Sequence, residues 1–304
     1  MFTQLPIKKC DPDRNTNEDF KIDFIGIGTS KAGTTWVSEM LDSHPEICMS
    51  EPKEVNYFNE QDNYYLIENL NYNKGLNWYK KHFLHGKTGQ IIGEFTPKYL
   101  SDPKAPLRIK KSFPDVKLIV CLRNPVDRAF SQYIFIRYFK KKEDRSFEEA
   151  IQKEPQYIEK GLYFKHLNRY FQYFDKTQIH IIWFDDIKSY PTRVLKDLFV
   201  FLGVDETFNP LNTGEKINAA RQSRFHQLPE LTDIVTRILA RFKLSFIIKA
   251  IKKTGVHTII KKANIRKLEY TPMQEQTRIY LKQKFADDIA DLEKLLNKDL
   301  SHWK

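Results

Sequence analysis

The stretch Ile22-Asp23-Phe24-Ile25-Gly26-Ile27-Gly28-Thr29-Ser30-Lys31-Ala32-Gly33-Thr34-Thr35-Trp36 decides the fold. An apolar run closing on glycine predicts a buried strand over Ile22–Gly28. Trp36, Val37, Met40 and Leu41 then recur at helical spacing, so a helix is expected from about Thr34 to Ser43, ended by His44-Pro45. Working outward, Ile47–Met49, Ile91–Glu94, Lys117–Leu122 and Ile179–Phe184 read as further strands separated by helical patterns. Asn124-Pro125 sets a capping residue before a proline at the first helical position and predicts a helix to about Tyr138. Ser146 with Glu149 forms a capping box, Pro191–Leu202 reads as a helix stopped by Gly203, and Thr271-Pro272 with Gln274 opens a long C-terminal helix. Asn59 to Lys87 lacks a strong period and is expected as short helices or loops over the sheet. Strands apolar on both faces and alternating with helices imply an α/β fold, a central parallel sheet with helices on both faces.

The turn between the first strand and helix carries the first chemistry. Successive backbone N–H groups and a helix N-terminus form an anion site, the glycines admit close approach, and the hydroxyls of Thr34 and Thr35 can donate to phosphate oxygens. The spacing nearly matches the nucleoside-triphosphate loop G-x-x-x-x-G-K-[ST], but Thr34 stands where that motif has lysine and Lys31 lies three residues earlier. A second difference follows at Leu118-Ile119-Val120-Cys121-Leu122-Arg123-Asn124-Pro125. Nucleoside triphosphatases commonly end this strand in an aspartate that helps hold Mg²⁺, whereas this strand ends in Arg123, a second anion-binding group, with Ser131 on the following helix.

Lys31-x-Gly33-Thr34-Thr35, Gly93-Glu94-x-Thr96-Pro97-x-Tyr99 and Leu122-Arg123-Asn124-Pro125-x-x-Arg128-x-x-Ser131 together resemble sulfotransferases that use 3′-phosphoadenosine 5′-phosphosulfate (PAPS), in particular the heparan-sulfate-type branch and its soluble bacterial relatives. The resemblance runs from about Lys21 to Phe225 and returns over Leu292–Trp303. It implies one sulfotransferase domain over 1–304, with 1–20 as an N-terminal extension; within it, Ile234, Ile238 and Phe242 among several lysines mark 233–267 as a basic amphipathic helical segment. It further implies that the loop Lys31, Ala32, Gly33, Thr34 and Thr35 cradles the 5′-phosphate of PAPS while Arg123 and Ser131 hold the 3′-phosphate, without a metal. Lys31 would stabilise charge on the leaving phosphate.

The same resemblance selects Glu54, in Glu51-Pro52-Lys53-Glu54-Val55-Asn56-Tyr57-Phe58, as the base over Glu51. Asn56 stands where many relatives have histidine. Glu94, at the end of a strand, is the rival base, and Phe95 follows it where heparan-type relatives often have lysine. Tyr163 resembles an aromatic residue beside the nucleotide, although its spacing with Leu167 and Tyr170 also suits a helix core. Arg221 and Arg224, in Asn218–Arg224, resemble a basic loop over the 3′-phosphate, and they also suit a solvated surface loop.

Charge narrows the partners. The 304 residues carry a formal +11, and residues 233–267 alone hold ten basic and one acidic side chain. An acidic or lipid-linked acceptor, a carbohydrate, or peripheral membrane contact through that segment would use this charge. No RNA-stacking motif or zinc finger is visible, so no specific nucleic-acid recognition is expected. Apolar runs fall far short of the ~20 residues that cross a bilayer, and the polar N-terminus reads as that of a cytoplasmic protein. Cys10, Cys48 and Cys121 are scattered and read as reduced thiols. Two other classes remain: a nucleotide-dependent kinase, for which Ile181-Ile182-Trp183-Phe184-Asp185-Asp186 would supply the acids, and a non-enzymatic basic protein that binds membranes or anions.

Overall fold

Five strands, each short and almost wholly apolar, pair in parallel in the order β2-β5-β1-β6-β7. They are β1 (Phe24–Gly28), β2 (Ile47–Met49), β5 (Ile91–Phe95), β6 (Lys117–Leu122) and β7 (Ile179–Trp183), while β3 (Gln61–Asp62) and β4 (Ile67–Glu68) form a separate hairpin. The computed structural model describes residues 20–62, 67–210, 213, 221–223, 265–267 and 269–304. The chain divides into two compact units, residues 1–217 with 273–304 and residues 218–272. In the second unit, β8 (Arg221–Ser223) pairs antiparallel with β9 (Ile265–Lys267). The expected loop at Arg221 is thus a strand, as are the last three residues of the expected helical segment; residues 233–264 and the N-terminal residues 1–19 lie outside the described residues.

In the first unit the helices are α1 (Thr34–Ser43), α2 (Leu76–Lys80), α3 (Ala105–Ser112), α4 (Pro125–Ile134), α5 (Phe147–Lys153), α6 (Gln156–Glu159), α7 (Tyr163–Phe171), α8 (Phe184–Ser189), α9 (Pro191–Leu202) and the C-terminal helix (Glu275–Leu296). On one face of the sheet, Trp36, Val37 and Leu41 of α1 and Leu195, Leu198 and Phe199 of α9 pack on Phe24, Phe95, Ile119 and Cys121. Side chains alternate along a strand, so Ile25, Leu118 and Val120, all fully buried, face the other way. That opposite layer contains α4, α6, α7 and the C-terminal helix, packed on one another. Their close approach needs Gly161, where a Cβ would come within 2.7 Å of Phe285 and 3.1 Å of Pro125.

Local signals explain most boundaries. Asn124 Oδ1 accepts from the N–H groups of Val126 and Asp127, and Ser146 with Glu149 makes both bonds of a capping box. Gly203 ends α9 in the left-handed conformation. Two boundaries differ from expectation. Phe184 begins α8 instead of ending β7, and α4 stops at Ile134, continuing to Phe139 as a π-helical turn. Within the sheet, neighbouring strands interlock through aromatic rings and glycines. Phe24 pairs with Gly93 and Gly26 with Phe95, and a Cβ on either glycine would lie 2.3 Å from the opposing ring.

Candidate active site

Because β1 lies between β5 and β6, the loops after these three strands emerge together at the carboxyl edge of the sheet, the usual place for a ligand in an open α/β fold. The loop after β1 turns through positive φ at Lys31 (72°) and Gly33 (90°). Gly33 caps α1, and a Cβ there would also come within 2.8 Å of the Ile187 side chain, so the turn demands glycine on both counts. No side chain caps α1 and no acid occupies its first turn. Its leading N–H groups therefore suit an anionic ligand. Thr34 is buried, Thr35 is exposed, and Ala32 packs into the core so that only its backbone can serve a ligand.

Lys31 and Arg123 are brought together. Arg123, the residue after β6, donates from Nη1 to the Lys31 carbonyl at 3.2 Å, and its guanidinium lies 4.6 Å from the Phe184 ring. The Lys31 ammonium rests 4.2 Å from the centre of the Phe135 ring, which the π-helical turn after α4 presents. Burial, and then the charge of Arg123, lower the Lys31 pKa to about 8. Ser131 is half-buried on α4, the helix that Asn124 caps directly after Arg123. Tyr163 is wholly buried, so it stands behind the site: its hydroxyl donates to the Arg123 carbonyl at 2.8 Å and its ring meets Trp303 edge-on. Arg128 is likewise an internal strut, donating to Gln132 Oε1 and the Tyr157 carbonyl.

The two candidate bases differ completely in surroundings. Glu54 is exposed on the loop after β2, and Asn56 beside it holds a positive φ of 53° and donates from Nδ2 to the Glu54 carbonyl. Glu94 lies inside β5 and is fully buried; the hydroxyls of Tyr79, Thr96 and Tyr99 donate to it at 2.7, 2.6 and 2.9 Å. Burial raises its pKa to about 7 against the opposing pull of those hydrogen bonds. Lys53, next to Glu54, is half-buried with its ammonium 5.5 Å from the Phe95 ring, and desolvation lowers its pKa while Glu54 works the other way.

Sequence reasoning missed Lys53, Tyr79, Phe135 and Phe184. Tyr79 sits in the aperiodic stretch, and the rings contact the cations from helices distant in sequence, so no local pattern marked them. The aspartates that a kinase reading would use open α8 instead, where Asp185 pairs with Lys188 and Asp186 with Arg193. Arg224 lies outside the described residues, and the assignment of Arg221 rests on resemblance. Cys48 and Cys121 are buried and form no disulfide among the described residues, with the Cys121 thiol pushed up to about 12 by burial. Among the described residues no helix is long and apolar enough to cross a membrane.

Comparison with known proteins places the fold and the family. The chain is 38% identical over 144 residues to the membrane-associated sulfotransferase kil1 of Dictyostelium discoideum, covering 45% of this chain and 28% of that one. It is 28% identical over 199 residues to human heparan sulfate glucosamine 3-O-sulfotransferase 5, covering 62% of this chain and 55% of that one. The chain thus spans little more than half, or less, of the length of these relatives. A crystal structure of a sulfotransferase from Alicyclobacillus acidocaldarius superposes with a TM-score of 0.68 at 25% identity, covering 93% of this chain and 99% of that one. The model of the sulfotransferase domain matches residues 21–243, and the chain belongs to that family.

Proposed function

We propose that the protein transfers a sulfuryl group from PAPS to a hydroxyl or amine of a carbohydrate or lipid-linked acceptor. One observation carries the reading: on loops after adjacent strands, the Arg123 guanidinium donates to the Lys31 backbone carbonyl, and arginine stands where a triphosphatase would hold Mg²⁺. The residues suit a donor with two separated anionic ends. As substrate, PAPS supplies a sulfuryl group on a phosphate that leaves readily. The loop amides, Thr34 and Thr35 bind the 5′-phosphate, and Arg123 with Ser131 binds the 3′-phosphate. Tyr163 acts by holding the Arg123 backbone.

Glu54, the exposed carboxylate, takes the proton of the acceptor as its oxygen or nitrogen bonds to sulfur. The bond between sulfur and the donor phosphate oxygen breaks, its electron pair stays on that oxygen, and Lys31 stabilises the charge that results. Glu94 is buried and enclosed by hydroxyls whereas Glu54 is exposed, which supports Glu54 as the base. The name of the 3-O-sulfotransferase relative supports a glycan acceptor. A cytoplasmic location with peripheral membrane contact through 233–267 belongs to the same proposal, supported by the charge of that segment and by the membrane-associated relative.

Titration calorimetry tests the donor. Binding of 3′,5′-bisphosphoadenosine (PAP) is expected, and binding of ATP with Mg²⁺ in its place would overturn the reading in favour of a kinase. Screening glucosamine-containing oligosaccharides and glycolipids with labelled PAPS then identifies the acceptor.

A further inference from the structure

Glu94 has no place in the proposed transfer, yet it is a fully buried carboxyl beside the loop that carries Glu54. Its partners lead directly to that loop. Thr96 Oγ1 donates to Glu94 Oε2 at 2.6 Å and accepts the Asn56 N–H at 3.3 Å. The Tyr99 hydroxyl donates to Glu94 Oε1 at 2.9 Å and accepts the Tyr57 N–H at 2.8 Å. The Val55 N–H donates to the carboxylate itself. Three successive amides after Glu54 are thereby held by one carboxylate, two of them through a hydroxyl. On the other side, the side-chain amide of Asn71 donates to the carbonyls of Val55 and Asn56, and that of Asn69 to the carbonyls of Asn56 and Asn59.

A hydroxyl has one proton, so donating it to a carboxylate leaves only lone pairs to face the amides. The carboxylate sets the direction of both hydroxyls, and both hydroxyls then set the backbone of the loop. We propose that Glu94 is a positioning residue: through Thr96 and Tyr99 it clamps the amides of Asn56 and Tyr57 and so fixes the loop that presents Glu54. Tyr79 completes the cage by donating to Glu94 Oε1 from α2. An exposed base on an irregular loop loses catalytic effect when its backbone wanders, and a rigid support beneath it prevents that.

The proposal rests on Glu54 being the base, and the test separates the two. In the full-length protein, Thr96→Val and Tyr99→Phe should each speed hydrogen exchange in the peptide covering 54–58 by tenfold or more, with the 29–36 peptide unchanged. Thr96→Ser, which restores the hydroxyl, should return exchange to the wild-type rate. In sulfuryl transfer to a glucosamine-containing oligosaccharide, or the acceptor found by the screen above, Thr96→Val should lower kcat about tenfold with PAP affinity within twofold of wild type. In a Glu54→Gln background, Thr96→Val should add no further loss. Unchanged exchange at 54–58 in both Thr96→Val and Tyr99→Phe overturns the clamp. Full turnover by Glu54→Gln overturns the base reading instead, whatever the exchange shows.

Discussion

The loop after β1 and the loop after β2 serve one proposed reaction but are built in opposite ways. The first is shaped mainly by its own residues: Lys31 and Gly33 adopt the positive φ values of the turn and α1 begins immediately after it, with one side-chain bond from outside, Arg123 to the Lys31 carbonyl. The second is shaped from outside, its amides held by a group centred on Glu94 and its carbonyls by Asn69 and Asn71. A self-shaped loop leaves a motif in the sequence. An externally held loop leaves only scattered polar residues whose connection appears when the chain is folded.

The largest effects should separate binding from chemistry between the two loops. Glu54→Gln is expected to lower turnover by roughly 10²–10⁴-fold while PAP affinity is retained, and retained turnover would remove its role as base. Lys31→Ala should cost roughly 10²–10³-fold in turnover, and Arg123→Ala should act mainly on PAP affinity; both are read from initial rates beside calorimetry. If Arg123→Ala binds PAP as the wild type does, the assignment of the 3′-phosphate is wrong.

Below these comes the cost of the external support. Glu94 titrates near pH 7 when folded, above the ordinary 4.5 of a glutamate, so the folded state holds the proton more tightly. Stability from this group is fully present below pH 4.5 and is lost as pH rises through 7, at most about 3 kcal/mol. Denaturant unfolding at pH 5 and pH 8 should show that loss in the wild type and a smaller one in Glu94→Gln. Equal losses would mean the carboxyl is not responsible. A useful support beneath Glu54 is thus a destabilising one at neutral pH.

Smaller still is the pH response of the self-shaped loop. The Lys31 pKa of about 8 means that its ammonium is full below that value and is lost above it. PAP association should weaken by up to about tenfold per pH unit above 8, until the pKa of the bound state is reached, and Lys31→Arg should flatten the profile. The smallest change should follow from Asn56→Gly. The positive φ at Asn56 suits glycine, so stability is expected to move by only a few tenths of a kcal/mol in thermal unfolding, whereas Asn56→Val should cost about 1 kcal/mol or more.

The contrast also explains what could be read from the chain alone. β1, its loop, α1, Arg123 and the Asn124 cap were legible because each depends on neighbours within a few positions. The burial of Glu94, the rival base, was not legible: Tyr79, which closes over it, lies on α2 in a stretch without a strong period. Phe135 escaped notice because an α-helix was expected there, and the π-helical turn alters which side chains point at Lys31. Arg221 was expected in a loop, but its pairing with Lys267 across more than forty residues is a non-local contact that its own segment does not announce.

The reciprocal fit of Phe24 on Gly93 and Phe95 on Gly26 has a consequence for alignment. Uniformly apolar parallel strands have little in their pattern to oppose sliding past one another. Here each ring matches a gap on the neighbouring strand, and a slip of one residue, about 3.3 Å, would drive both rings into side chains. The two contacts act as a vernier between β1 and β5. They hold the loop bearing Lys31 and the cage around Glu94 at a fixed offset before any ligand arrives.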